Sequence, residues 1–350
     1  MPGANPCRGA NPQLSALPFA DLAVEQSTAA SRFKRFSGDL RLEPVPETFW
    51  PELERIYAHM AQMPETRFRL HWPLPGANPL PGASPLPGDP ADGINSLQSA
   101  SAGSPPAGLL MRGQRRDTPN GPVFILRRIA HVLLGVDQLG IPGGIIQKLR
   151  HPDLRAGLVL FVGGPGAGKT TAACALLMDR LQKIGGFTWT VENPVEYDLQ
   201  GPHGMGQCYQ EEVAEDHEIQ RVLMDTLRSS ADTLYIGEIR EETSARAACL
   251  AAASGMLVIS TLHADNALQA ILKVGMLVGM DGLSQSLRAI IALRMEREMT
   301  AANGARKVLK VQPFFVEDES VRQKIAKTDM AALNMDLETQ KNRFVMGGGR

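Results

Sequence analysis

The chain has 350 residues, 43% of them hydrophobic, and a formal net charge of −1, enough apolar sequence to build cores for two domains of ordinary size. With no block of like charge, that balance argues against nucleic acid as the main ligand, and no direct nucleic-acid binding is expected. No uninterrupted apolar stretch approaches the roughly 18–20 residues that cross a bilayer, and Met1-Pro2-Gly3-Ala4 opens no hydrophobic signal core, so a cytoplasmic protein is expected.

Residues 1–46 are rich in Pro, Ala and Ser and lack periodicity, which predicts a disordered or loosely ordered segment. From Thr48 to Gln62, Phe49, Leu53, Ile56, Tyr57 and Met60 recur at helical spacing, and a short strand is predicted over 66–72. A Pro-Leu-Pro-Gly unit then repeats three times, opening a Pro/Gly/Ser-rich insertion placed at 73–120 that can form neither ladder nor helix. Strand character resumes at Pro122–Ile129, so 47–135 reads as a small α+β domain interrupted by a flexible loop. Beyond it, buried strands at 158–162, 187–191, 233–237 and 256–261 alternate with helices of ten to fifteen residues, the pattern of an α/β parallel sheet wrapped by helices. One more strand, Val308–Val316, and further helices complete a predicted domain over 136–330, with a helical tail at 331–350. Cys7, Cys174, Cys208 and Cys249 form no close pair and are expected to be reduced, structural residues.

The segment Gly163-Gly164-Pro165-Gly166-Ala167-Gly168-Lys169-Thr170-Thr171 satisfies G-x-x-x-x-G-K-[ST] between a predicted buried strand and an Ala/Leu-rich helix. Its glycines let backbone N–H groups converge with the helix N-terminus into an anion cradle. Lys169 would reach the outer phosphates of a nucleoside triphosphate, and the Thr170 hydroxyl would bind Mg²⁺. ATP and Mg²⁺ are therefore the expected ligands.

Hydrolysis also needs a carboxylate to order water. Glu238 follows the strand Thr233–Gly237 at the carboxyl edge, where ligands of open α/β sheets bind, and is assigned water activation. Glu192 and Glu196 follow the strand 187–191 and are candidates for the metal shell together with Thr170 and Glu238. Ser260, Thr261 and His263 leave a third strand end, with His263 the candidate sensor of the γ-phosphate.

These segments resemble the motifs of the type II/type IV secretion and pilus ATPase superfamily over about residues 120–330. GGPGAGKTT is similar to its Walker A motif, TVENPVEY to its Asp box, LRSSADTLYIGEIREE to its Walker B region and SGMLVISTLHADNA to its His box. The Gly237-Glu238 pair carries the family's Gly in place of the usual Walker B Asp. The resemblance implies a RecA-like P-loop core behind a small N-terminal domain whose arginines, here Arg67, Arg69 and Arg127, act on the nucleotide as fixed cations. It also implies a homohexamer working with inner-membrane platform proteins of a pilus, conjugation or secretion machine, and so a peripheral membrane location through partners. Asn193 replaces the Asp of the Asp box, Met256 stands where an earlier His is usual, and the four-cysteine module of the type II branch is missing from the sequence. A DNA translocase and a nucleotide-binding subunit with little hydrolysis are the rival readings.

Overall fold

The computed structural model describes residues 14–17, 19–35, 41–73, 108–128, 133–213, 216–300 and 304–346. The Pro-Leu-Pro-Gly repeats, Cys7 and the last four residues lie outside the described residues. The chain divides into two compact units, Met1–His131 and Val132–Arg350.

In the first unit, β1 (Asp21–Val24), β2 (Arg32–Lys34), β3 (Glu43–Pro44), β4 (Arg67–Pro73), β5 (Gly108–Thr118) and β6 (Gly121–Arg128) form an antiparallel sheet in the order β3-β2-β1-β6-β5-β4. Helix α1 (Trp50–Met60) buries Leu53, Ile56 and Met60 in the same core as Leu22, Val24, Phe33, Leu70, Met111, Phe124 and Leu126. Two expectations are corrected here. Residues 14–46 contribute three strands and the buried Leu14, Leu17 and Phe19 rather than a loose lead-in. Strand β5 occupies 108–118, within the stretch expected to be insertion through residue 120. Its sequence hides the strand because Gly113 breaks the apolar alternation, and tertiary packing explains that glycine: a Cβ there would stand 2.2 Å from the Phe68 ring of its cross-strand partner.

The second unit is built on β7 (Gly157–Val162), β8 (Gly186–Glu192), β9 (Gly201–His203), β10 (Gly206–Glu212), β11 (Thr233–Ile236), β12 (Leu257–Leu262), β13 (Leu287–Thr300) and β14 (Gly304–Phe315). Their order is β14-β13-β7-β12-β11-β8-β10-β9, parallel from β13 to β10 with antiparallel strands at both edges. Burial of both faces matches the near-continuous apolar strands. Leu158, Leu160 and Val162 of β7 face a core shared with α4 (Asp216–Thr226), α5 (Glu242–Ala253), α6 (Ala267–Val278), α7 (Met280–Ser286), α8 (Glu319–Ala326) and α9 (Met330–Lys341). Val159 and Phe161 face the opposite core, with α2 (Gly143–Arg150) and α3 (Lys169–Lys183). This is the expected α/β RecA-like core, with a sheet that is mixed at its edges.

No strand was assigned at β13, whose Leu, Ala, Arg, Met and Glu are good helix formers; pairing with β7 on one side and β14 on the other overrides that preference. The predicted tail is likewise part of the fold. Leu333 and Leu337 of α9 are buried in the main core, worth roughly 1.5–3 kcal/mol each. Gln340 completes α9's hold on β14, accepting from Phe315 N at 2.6 Å and donating to Phe315 O at 2.9 Å. Among the described residues no single helix is long and apolar enough to cross a membrane.

Candidate functional site

Register brings the predicted motifs to one edge. Val162 pairs with Leu262, Ser260 with Ile236, and Ile236 with Val191, so the parallel strands β7, β12, β11 and β8 end side by side. Gly163, His263, Gly237-Glu238 and Glu192 therefore emerge along a single carboxyl edge, with β12 lying between the P-loop strand and the Glu238 strand.

The loop after β7 curls through Gly166 (φ 71°) and Gly168 (φ 90°), left-handed conformations open to glycine at little cost. A Cβ added at Gly164, Gly166 or Gly168 would meet nothing within 4 Å, so the three glycines border an open concavity. Gly163 has the opposite reason to be glycine: a Cβ there would lie 2.3 Å from Leu293 O of β13 and 2.9 Å from the Ala167 Cβ. Lys169 begins α3 with its ammonium turned into the loop, donating to Gly163 O at 3.1 Å and Gly164 O at 3.0 Å and standing 3.4 Å from His263 Nδ1. Burial pushes its pKa below the usual lysine range, opposed by the charges of Glu238 and Glu196.

His263 bridges the two chemical ends of the site. Its Nε2 stands 3.0 Å from Glu238 Oε1, while Glu238 Oε2 accepts from Arg240 Nε at 2.7 Å. Glu238 Oε1 is shielded from solvent and has the His263 imidazole as its neighbour. Lys169, His263 and Glu238 are thus in one contiguous line.

The other predicted residues have mixed placements. Glu192 is buried, its carboxylate accepting from Thr190 Oγ1 at 2.8 Å, Gln210 Nε2 at 3.0 Å and the Glu196 backbone N–H. Burial, outweighing those donors, raises its pKa to about 7. Glu196 is exposed and close enough to Lys169 to act on its charge. Thr170 is half-buried on the first turn of α3, and Thr171 Oγ1 lies 2.8 Å from the Tyr197 hydroxyl. The hydroxyls of Ser260 and Thr261, expected beside the crevice with His263, instead bond Ile236 O and Gly237 O at 2.7 Å each and pin the end of β11. Met256 precedes β12 whereas His263 follows it, which separates the two by about 20 Å of strand. Buried in the core, Met256 does not touch the nucleotide edge, so the missing earlier imidazole removes nothing from the site itself.

In the first unit, strand register aligns Arg69 of β4 with Arg112 of β5 and Arg127 of β6. Arg112 went unnoticed in the sequence because β5 was unrecognised. Arg67 pairs with Gln114 in the next register position but one. Arg127 is exposed and holds Asp21 of β1 in a bidentate pair, Nε donating to Oδ1 and Nη2 to Oδ2. In the second unit a cavity of about 350 Å³ lies at the opposite end of the sheet from the P-loop, lined by Arg180, Thr188, Asp232 and Gly255 among others. Arg180 there is committed to structure, donating to Leu149 O, His151 O and Leu154 O, and burial lowers its pKa to about 10.

The glycine-lined concavity, an ammonium at its base and the Glu238 carboxylate reached from it through His263 suit a polyphosphate and an attacking water. Among the described residues no group of three His, Cys, Asp or Glu side chains forms a metal cage.

Fold and site together define a RecA-like P-loop protein with a separate β-rich N-terminal unit. A sequence model described as "Type II/IV secretion system protein" matches residues 119–338, and the chain belongs to this secretion and pilus ATPase family. It is 37% identical over 168 residues to the putative type II secretion system protein E of Escherichia coli (strain K12), covering 47% of this chain and 33% of that one. It is 34% identical over 180 residues to the type IV pilus ATPase PilU of Pseudomonas aeruginosa, covering 49% and 46%. The matched stretches therefore span less than half the length of these relatives. Among solved structures, the pilus retraction motor PilT with bound ADP has a TM-score of 0.66 at 19% identity, covering 91% of this chain and 85% of that one. The Legionella pneumophila ATPase DotB gives 0.62 at 14%, covering 94% and 89%. At these identities the likeness is one of fold.

Proposed function

We propose that this chain hydrolyses ATP with Mg²⁺, as one subunit of a homohexamer that powers a type IV secretion, conjugation or type IV pilus machine from the cytoplasmic face of the inner membrane. The contiguous Lys169–His263–Glu238 line beside the glycine concavity carries this reading. When bound, ATP·Mg²⁺ supplies the phosphoryl group that water attacks. The N–H groups of 164–168 and the first turn of α3 hold the phosphate charge, and Lys169 exchanges its carbonyl partners for phosphate oxygens. Thr170 offers its hydroxyl to the metal, with Glu196 and Glu192 in the outer shell. Glu238, at the carboxyl edge beside His263, orders the water and takes up its proton. His263 reports the Lys169 end to the Glu238 end.

Phosphate release from ATP tests the activity. Wild-type protein should turn over with Mg²⁺, Lys169→Ala should lose nucleotide binding, and Glu238→Gln should bind but slow at least about a hundredfold. Equal rates in wild type and both variants would refute the assignment.

A further inference from the structure

Gln210 has no role in any of the four motifs, yet its side chain is the hub of the polar contacts behind the site. It sits on β10 opposite Thr190 of β8. Its Nε2 donates to Glu192 Oε1 and to Tyr197 O, both at 3.0 Å, and its Oε1 accepts from Leu199 N at 2.6 Å. Two positions along β10, Glu212 Oε2 accepts from Val195 N at 3.1 Å. The backbone of 195, 197 and 199 is therefore tied to β10 at every second residue. From this tethered segment Tyr197 reaches across to α3, its hydroxyl 2.8 Å from Thr171 Oγ1, two residues after Lys169. Glu196, between these anchors, is exposed and acts on the Lys169 charge.

We propose that Gln210 and Tyr197 are positioning residues: Gln210 fixes segment 193–199 on β10, Tyr197 fastens it to the phosphate-binding helix, and together they set where the Glu196 carboxylate stands relative to Thr170 and Lys169. This rests on the nucleotide-binding reading above. A planar amide suits the task because one end donates to a carboxylate and a carbonyl while the other accepts a backbone N–H. The phenol suits the other because a rigid ring with two torsions carries a hydroxyl across the gap at small entropic cost. Without the phenol hydroxyl, Glu196 keeps its backbone bond to Glu192 but loses its link to α3. A carboxylate serving the outer shell of a metal is then less pre-organised, whereas the glycine cradle and Lys169 are unaltered.

The test is binding of a fluorescent ADP analogue to the full chain over a Mg²⁺ titration, for wild type, Tyr197→Phe, Thr171→Val, Thr171→Ser and the Tyr197→Phe/Thr171→Val double variant. The Mg²⁺ concentration giving half the metal-dependent gain in affinity should rise about three- to tenfold in Tyr197→Phe and Thr171→Val, the effect of one hydrogen bond. Affinity in EDTA should stay within about twofold in Tyr197→Phe, Thr171→Ser should behave as wild type, and the double variant should shift the Mg²⁺ dependence no further than either single change. Unchanged Mg²⁺ dependence in Tyr197→Phe, or additive effects in the double variant, would overturn the proposal. A wild-type protein that binds no nucleotide with or without Mg²⁺ would overturn the functional reading and this inference with it.

Discussion

Glu192→Gln isolates one buried carboxyl whose protonation is linked to folding. In the folded chain Glu192 titrates at about 7, against 4.5 for the unperturbed group, because burial penalises its charged form more than Thr190, Gln210 and the Glu196 N–H favour it. Between those values the folded chain holds a proton that the unfolded chain releases. The stabilisation is therefore full below the unfolded pKa and is lost as pH rises through the folded one. At about 1.4 kcal/mol per unit, the group should make the protein roughly 2–3 kcal/mol more stable near pH 5 than near pH 8, other groups being equal. Glutamine cannot titrate, so the comparison is one of slopes. Urea unfolding of wild type and Glu192→Gln at both pH values, without metal or nucleotide, should show the wild type losing its standing relative to the variant by that amount as pH rises. A stability difference that stays constant across the range would show that Glu192 is already ionised in the fold and that the burial argument is wrong.

Three further outcomes follow from packing. Gly163→Ala drives a Cβ against the backbone oxygen of Leu293 and should lower the unfolding midpoint and abolish nucleotide binding. Gly164→Ala, with open space before it, should leave thermal stability within about 0.5 kcal/mol while weakening phosphate binding, and a scanning melt with and without ADP separates the two. Arg180→Met removes the donor of three carbonyls at the end of α2 and the turn beyond it, and should cost on the order of 3 kcal/mol by denaturant unfolding. A loss below about 1 kcal/mol would mean that those carbonyls find other donors.

The nucleotide edge was legible in the sequence because each of its parts is local. The glycine spacing, the lysine that follows it and the apolar strands beside Glu238, Glu192 and His263 are all defined within a few residues of chain, and the parallel register then brings their carboxyl ends to one edge. What the sequence could not reveal was decided by partners far along the chain. Strand β13 carries the composition of a helix and is a strand only because β7 and β14 bond its two edges. Strand β5 hides behind a glycine whose reason is the Phe68 ring, and with it hid Arg112, which cross-strand register alone aligns with Arg69 and Arg127. Ser260 and Thr261 read as crevice residues until the neighbouring strand presented carbonyls to their hydroxyls. Met256 read as a lost site residue until the length of β12 carried it to the far edge. Residue type and spacing along one segment decide which chemistry a loop can offer; which groups face it, and which are consumed holding neighbouring strands, is set by non-local hydrogen bonds and packing that exist only once the sheet has assembled.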